Sequence, residues 1–289
     1  MPLIVIVFGI TLLHLAAMAF EYHAGRWDPP FRERIDSPGQ FSLSVYASDD
    51  WNASIEDLPV ILIHGSPGDA SNFGDIIRMA PEKYLMIAYD RPDYRGTMSS
   101  IPVGNLKSQT AFARYVIEET AGRPCIAIGH SYGGPIALQL AIEHPRLVKG
   151  VILIGAAVDP GLEKIHFLQK AAAHPLLEWT LPEAFRLSNE ELIQLRPDLI
   201  ELRNSLPELT VPVIMIHGGE DRLVPVENCD YLLDELRKAG LESLLTIDRH
   251  REWNHFIPWK HPSSVLKAID TMAGISSSTG REQKKELAE

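Results

Sequence analysis

The chain has 289 residues, 45% hydrophobic and 22% charged, a size that suits one large core with an insertion better than two independent domains. Its 20 glycines and 21 prolines follow no period, which excludes collagen-like, coiled-coil and low-complexity architectures. With 27 Lys plus Arg against 38 Asp plus Glu, the formal charge of -11 repels phosphate polyanions and argues against a nucleic-acid partner. Cys125 and Cys229 lack CxxC or Cys/His ligand spacing and read as packed thiols, so neither a disulfide scaffold nor a metal is expected.

In chain order, the run from Leu3 to Phe20 carries no formally charged side chain, and a helix of that length nearly crosses a hydrocarbon layer about 30 Å thick. Its length favours a membrane anchor; the small-residue pattern Ala17-Met18-Ala19 favours a removable signal peptide. Either reading places the protein at a membrane or outside the cytoplasm, in a periplasmic or other extracytoplasmic space. Residues 1–24 are therefore set apart from the fold. Asn52-Ala53-Ser54 fits a glycosylation sequon, relevant only in a eukaryotic secretory host.

Past the irregular stretch Trp27-Asp28-Pro29-Pro30, strands are expected around Phe41–Tyr46, Val60–Ile63, Tyr84–Tyr89, Cys125–Ile128, Val151–Ile154, Val213–Ile216 and Leu244–Ile247. Helical spacing separates most of them, for instance over Thr110–Thr120 and Pro135–Glu143. Continuous Val/Ile/Leu runs alternating with helices predict an α/β fold with a parallel sheet buried on both faces. Residues 159–209 break the rhythm with helical pieces interrupted by Pro175, Pro182 and Pro197 and read as a helical insertion over the sheet. Core segments are expected at 25–158 and 210–275, and the polar residues 276–289 read as a disordered tail.

Gly129-His130-Ser131-Tyr132-Gly133 follows an apolar strand and opens an apolar helix. A serine at such a turn projects its hydroxyl above the sheet, and the turn needs very small residues two positions either side. The helix also aims free N–H groups at an oxyanion formed beside Ser131. His64-Gly65-Ser66-Pro67-Gly68 follows the strand at 60–63. Pro67 has no N–H, so Ser66 and Tyr132 are the candidate backbone oxyanion donors, and His64 reads as structural.

A serine nucleophile needs a base and a group that orients it. Asp221, after the strand at 213–216, is the preferred acid, with Glu220 and Asp159 as alternatives. His255, among the apolar and aromatic neighbours Trp253, Phe256 and Ile257, is the preferred base; His250 and His261 sit nearer charged residues and read as solvated.

The order Ser131, Asp221, His255, with His64-Gly65 and the flanking strands, resembles the α/β-hydrolase superfamily over about residues 40–272. The resemblance implies a mostly parallel sheet flanked by helices, with a helical cap inserted after the sixth strand. It also implies a cofactor-free serine hydrolase that cleaves an ester or related acyl bond of a small to medium apolar substrate through an acyl-enzyme. A carbon–carbon bond hydrolase or cofactor-free haloperoxidase on the same triad is the first alternative, and a catalytically silent binding module the second. Tyr89-Asp90-Arg91-Pro92 is similar to the superfamily's Asp-Arg-Pro segment and reads as a salt-bridged loop support; Asp93, Arg95 and Gly96 depart from the glycine spacing usual there. In the insertion, Phe167, Leu168, Leu176, Leu177, Trp179, Leu181 and Phe185 are expected either to pack the cap or to line an acyl pocket.

Overall fold

The computed structural model describes residues 27–37, 41–52, 57–95, 97–99, 104–164, 169–170, 173–174 and 180–286. The apolar run at 3–20, Ala53 and Ser54 of the sequon, and Phe167, Leu168, Leu176, Leu177 and Trp179 of the insertion lie outside them. Among the described residues no helix is long and apolar enough to cross a membrane.

Among the described residues, nine strands form one sheet: β1 (Phe31–Ser37), β2 (Phe41–Ala47), β3 (Leu58–Ile63), β4 (Tyr84–Tyr89), β5 (Met98–Ser99), β6 (Cys125–His130), β7 (Val148–Ile154), β8 (Val213–Gly218) and β9 (Leu245–His250). Their order is β1-β2-β4-β3-β6-β7-β8-β9, with the two-residue β5 paired to β2. The pairs β1–β2 and β2–β4 are antiparallel, and every pair from β4 to β9 is parallel. The helices are α1 (Gly74–Met79), α2 (Leu106–Glu119), α3 (Gly133–Glu143), α4 (Glu183–Ser205), α5 (Asn228–Lys238), α6 (Ile257–Lys260) and α7 (Pro262–Glu286).

The continuous apolar runs feed two cores at once. Ile61, Ile63, Ala127, Val151, Leu153, Val213 and Met215 face one core, shared with α2, α3 and α5. Their neighbours Val60, Leu62, Ile126, Ile128, Ile152, Ile154, Ile214 and Ile216 face the other, shared with α1 and α7. Period-two alternation with both faces apolar is what a parallel sheet between helical layers demands.

Three stretches differ from the expectation. β1 forms where no strand was anticipated: its register with β2 runs Phe31↔Ala47 to Ser37↔Phe41, and Arg32, Glu33, Arg34 and Asp36 make it a charged edge that resists further pairing. Pro197 does not break the insertion but lies inside α4. The stripe Leu187, Ser188, Glu191, Leu195, Asp198, Leu199, Leu202 is buried on both sides of it, so tertiary packing outweighs the lost backbone hydrogen bond. The segment from Ser276, read as a tail, continues α7 to Glu286; its Arg, Glu, Gln and Lys residues favour helix and extend one already nucleated. The insertion leaves the sheet after β7, which is the sixth strand when the short β5 is set aside.

Candidate active site

The registers Ile63↔Gly129, His130↔Ile154, Ile154↔Ile216 and Gly218↔His250 align the carboxyl ends of β3, β6, β7, β8 and β9 on one edge. Loops leaving that edge carry all the sequence-predicted residues: His64–Gly68 after β3, Ser131 after β6, Asp221 after β8 and His255 after β9.

Ser131 has φ 54°, a left-handed value costing roughly 1–2 kcal/mol for a residue with a side chain. The turn is held by its own closeness: a Cβ on Gly129 would lie 2.1 Å from the Gly133 carbonyl oxygen, and one on Gly133 2.1 Å from that of Ile63. Ser131 N–H donates to Ile154 C=O (2.9 Å), and Gly134 N–H to Ser131 C=O (3.0 Å). The β3 loop abuts this elbow, since a Cβ on Gly65 would sit 2.9 Å from Ser131 Cβ. Among the described residues, the backbone N–H groups of Ser66 and Tyr132 have no acceptor, which leaves both donors open beside Ser131.

Asp221 and His255 are brought together. Asp221 Oδ1 accepts the N–H groups of Leu223 (2.9 Å) and Val224 (2.8 Å), and His255 Nδ1–H donates to Asp221 Oδ2 (2.7 Å). Burial by itself raises the Asp221 pKa, but the His255 hydrogen bond and charge and the two amides outweigh it and hold the carboxyl below its ordinary value. An ionised Asp221 fixes the proton on Nδ1 and leaves the Nε2 lone pair free. The two loops are stitched by Glu220 N–H to Trp253 C=O (2.9 Å) and Gly219 N–H to His250 C=O (2.8 Å). Of the alternative acids, the Glu220 side chain is exposed, and Asp159 Oδ1 closes a turn on Gly161 N–H (2.7 Å).

Sequence reasoning missed three supports of this pair. His130, next to Ser131, is buried with its ring 4.7 Å from that of His255, and its Nε2–H donates to the His255 carbonyl (3.1 Å). Burial, then the neighbouring His255, pull its pKa down to about 3, so it stays neutral and does not compete as a base. His217 Nε2–H donates to Val224 C=O (2.9 Å), 3.6 Å from Asp221 Oδ2, and burial lowers its pKa as well. Gly155 (φ 50°) leaves space beneath both partners: a Cβ there would lie 3.3 Å from Asp221 Oδ2 and from His255 Nδ1. A glycine directly after a strand was its only local sign. His250 and His261, read as solvated, are partly exposed and stack on Trp253 at 3.4 and 3.7 Å between ring centroids.

The Asp90-Arg91 segment ties the site to the insertion. Arg91, fully buried, donates from Nε to His64 C=O (3.1 Å) and from Nη2 to Gly65 C=O (2.9 Å) and Glu191 Oε2 (3.0 Å). Its Nη1 also pairs with Glu191 Oε1. Tyr94 O–H and Gln109 Nε2 complete the shell of Glu191, and the Arg91 guanidinium lies 4.9 Å from the ring centroids of Tyr94 and Tyr132. Arg91 N–H donates to His64 Nε2 (2.9 Å), so His64 Nδ1 carries its proton toward Gly65 C=O (2.8 Å), a structural role. Where the usual glycine spacing is absent, Asp93 (φ 67°) and Arg95 (φ 49°) adopt left-handed backbone themselves.

Asp90 is a second buried acid, accepting Ala70 N–H (2.9 Å) and Tyr46 O–H (2.8 Å); burial pushes its pKa up to about 6. The folded state therefore holds this proton more tightly than the unfolded chain, so the contribution is present below about pH 4 and is lost as pH rises to 6, by roughly 3 kcal/mol. Asp90→Asn is expected to remove this fall. Urea unfolding of both proteins at pH 4 and pH 7 checks it, because other titrating groups cancel in the difference.

Comparison with known proteins agrees with this architecture. A sequence model of the alpha/beta hydrolase family matches residues 60–268, and the chain belongs to that family. It is 29% identical over 197 residues to the mouse (Mus musculus) mitochondrial palmitoyl-protein thioesterase ABHD10, covering 62% of this chain and 65% of that protein, just under two thirds of its length. It is 22% identical over 255 residues to a 2-hydroxy-6-oxononadienedioate/2-hydroxy-6-oxononatrienedioate hydrolase from Pseudomonas sp., covering 75% and 89%. The solved structure of an esterase from Exiguobacterium antarcticum shares the fold, with a TM-score of 0.64 at 18% identity over 83% of this chain and 98% of that one.

Proposed function

We propose that the protein is a serine hydrolase that cleaves an ester or related acyl bond of an apolar substrate through an acyl-enzyme. The observation that carries this reading is the buried Asp221–His255 hydrogen bond at the same sheet edge as a left-handed serine elbow. His255 Nε2 takes the Ser131 hydroxyl proton as Oγ attacks the acyl carbonyl. The Ser66 and Tyr132 amides stabilise the oxyanion, each contributing on the order of 3 kcal/mol to the barrier reduction. The imidazolium then returns the proton to the leaving group, and water, activated by His255, releases the acid and free Ser131. Besides the attacking water, these steps use the chain's own groups.

Residues 3–20 attach the protein to a membrane or direct its export. The esterase and thioesterase among similar proteins support acyl chemistry; the carbon–carbon bond hydrolase shows that other bonds are broken in the same family. Fluorophosphonate labelling tests the central claim. One covalent adduct at Ser131, absent from Ser131→Ala, is expected; an unreactive native chain would remove the nucleophile and favour a silent binding module.

A further inference from the structure

Exposed apolar side chains gather on one flank of the candidate active site. Phe256, adjacent to His255, is 47% exposed and Trp259 38%, with their rings 5.7 Å apart; Trp259 also lies edge-on to His130 at 5.5 Å. They belong to α6 and the residue before it. That short helix packs against Ala70–Phe73 and α1. Large apolar side chains left in water beside a catalytic base need an occupant.

The chain's own path identifies it. Trp27, the first described residue, lies over Gly74 at the start of α1: a Cβ on Gly74 would meet its indole at 2.9 Å. Its ring is also 4.9 Å from Tyr46, whose hydroxyl reaches Asp90 just past the carboxyl end of β4. The N-terminal segment thus joins the fold against the same helix that borders the apolar flank, near the active-site edge. Only residues 21–26 separate the uncharged run 3–20 from Trp27, and six residues span at most about 20 Å. On the membrane-anchor reading of residues 3–20, the bilayer is therefore tethered close to the start of α1, the helix against which α6 packs.

We infer that Phe256 and Trp259 dock on the lipid bilayer surface that anchors the chain, so that the active site faces the membrane and draws acyl esters from it. Aromatic side chains suit the headgroup–acyl boundary. The overall charge of -11 opposes anionic headgroups, so neutral lipid held by apolar insertion is the favoured surface. The substrate part of this inference rests on the serine hydrolase reading; the docking part does not.

The test uses the full chain in phosphatidylcholine vesicles. Cys125 and Cys229 are buried, so a polarity-sensitive fluorophore can be placed on Phe256→Cys or, as a control at the opposite end of the sheet, on Lys238→Cys. The label at 256 is expected to brighten about twofold or more and shift to the blue on reconstitution, with the label at 238 unchanged. Equal responses at both positions, or a label at 256 that stays aqueous, overturn the inference. So does a change at 256 that follows protein concentration without lipid, which would mark contact with a second copy. Failure of Ser131 to react with fluorophosphonate would sink the hydrolytic reading and leave the docking result standing.

Discussion

Asp221→Asn is expected to lower kcat on a soluble nitrophenyl ester by roughly four orders of magnitude while the fold persists. The reason is tautomeric. Asparagine can keep its oxygen on the Leu223 and Val224 amides, which requires its NH2 to point at His255 Nδ1. Nδ1 must then be the acceptor, the proton moves to Nε2, and the atom that should take the Ser131 proton already carries one. Steady-state kinetics set beside a urea unfolding curve separate the outcomes. A kcat loss below about tenfold with native stability would deny Asp221 its orienting role.

Glu191→Ala is expected to cost about 3–5 kcal/mol of stability, the largest single effect predicted outside the core. Removing the carboxylate leaves the fully buried Arg91 guanidinium without its counter-charge, and Tyr94 O–H and Gln109 Nε2 lose their shared acceptor. Replacing both members, as Arg91→Met with Glu191→Leu, should recover much of the loss, because an apolar pair avoids desolvating two charges. Urea midpoints for the single and double variants decide it: a double variant as unstable as Glu191→Ala would place the cost in packing rather than in the stranded charge.

What could be read from the residues alone was whatever short-range pattern encodes. β2 announced itself as a short alternating run and the later strands, apart from the two-residue β5, as apolar runs, and the serine elbow by a glycine either side of a strand-to-helix junction. β1 was missed because its core-facing positions, Phe31 and Ile35, are outnumbered by charges suited to an edge. Pro197 was overread, since propensity alone does not register the buried stripe that carries α4 past it. His130 and His217 looked like any of the eleven histidines; their roles depend on carbonyls at 255 and 224 that only the folded chain brings near. Glu191 had one sign, a charge on a helical face with Leu187, Leu195, Leu199 and Leu202, yet its partner is 100 residues away. Burial of opposite charges is a property of tertiary pairing, and no local window contains it.

The insertion also sets how this enzyme could diversify. It departs from β7 and rejoins at β8, neighbours whose register, Val151↔Val213 through Ile154↔Ile216, is fixed by their own ladder. Lid length is thus uncoupled from the spacing of the reacting groups, and lineages can exchange lids to explore new substrates. The exchange has a condition: any replacement must deliver an anion opposite Arg91, or the loop after β3, whose His64 and Gly65 carbonyls Arg91 holds, loses its brace.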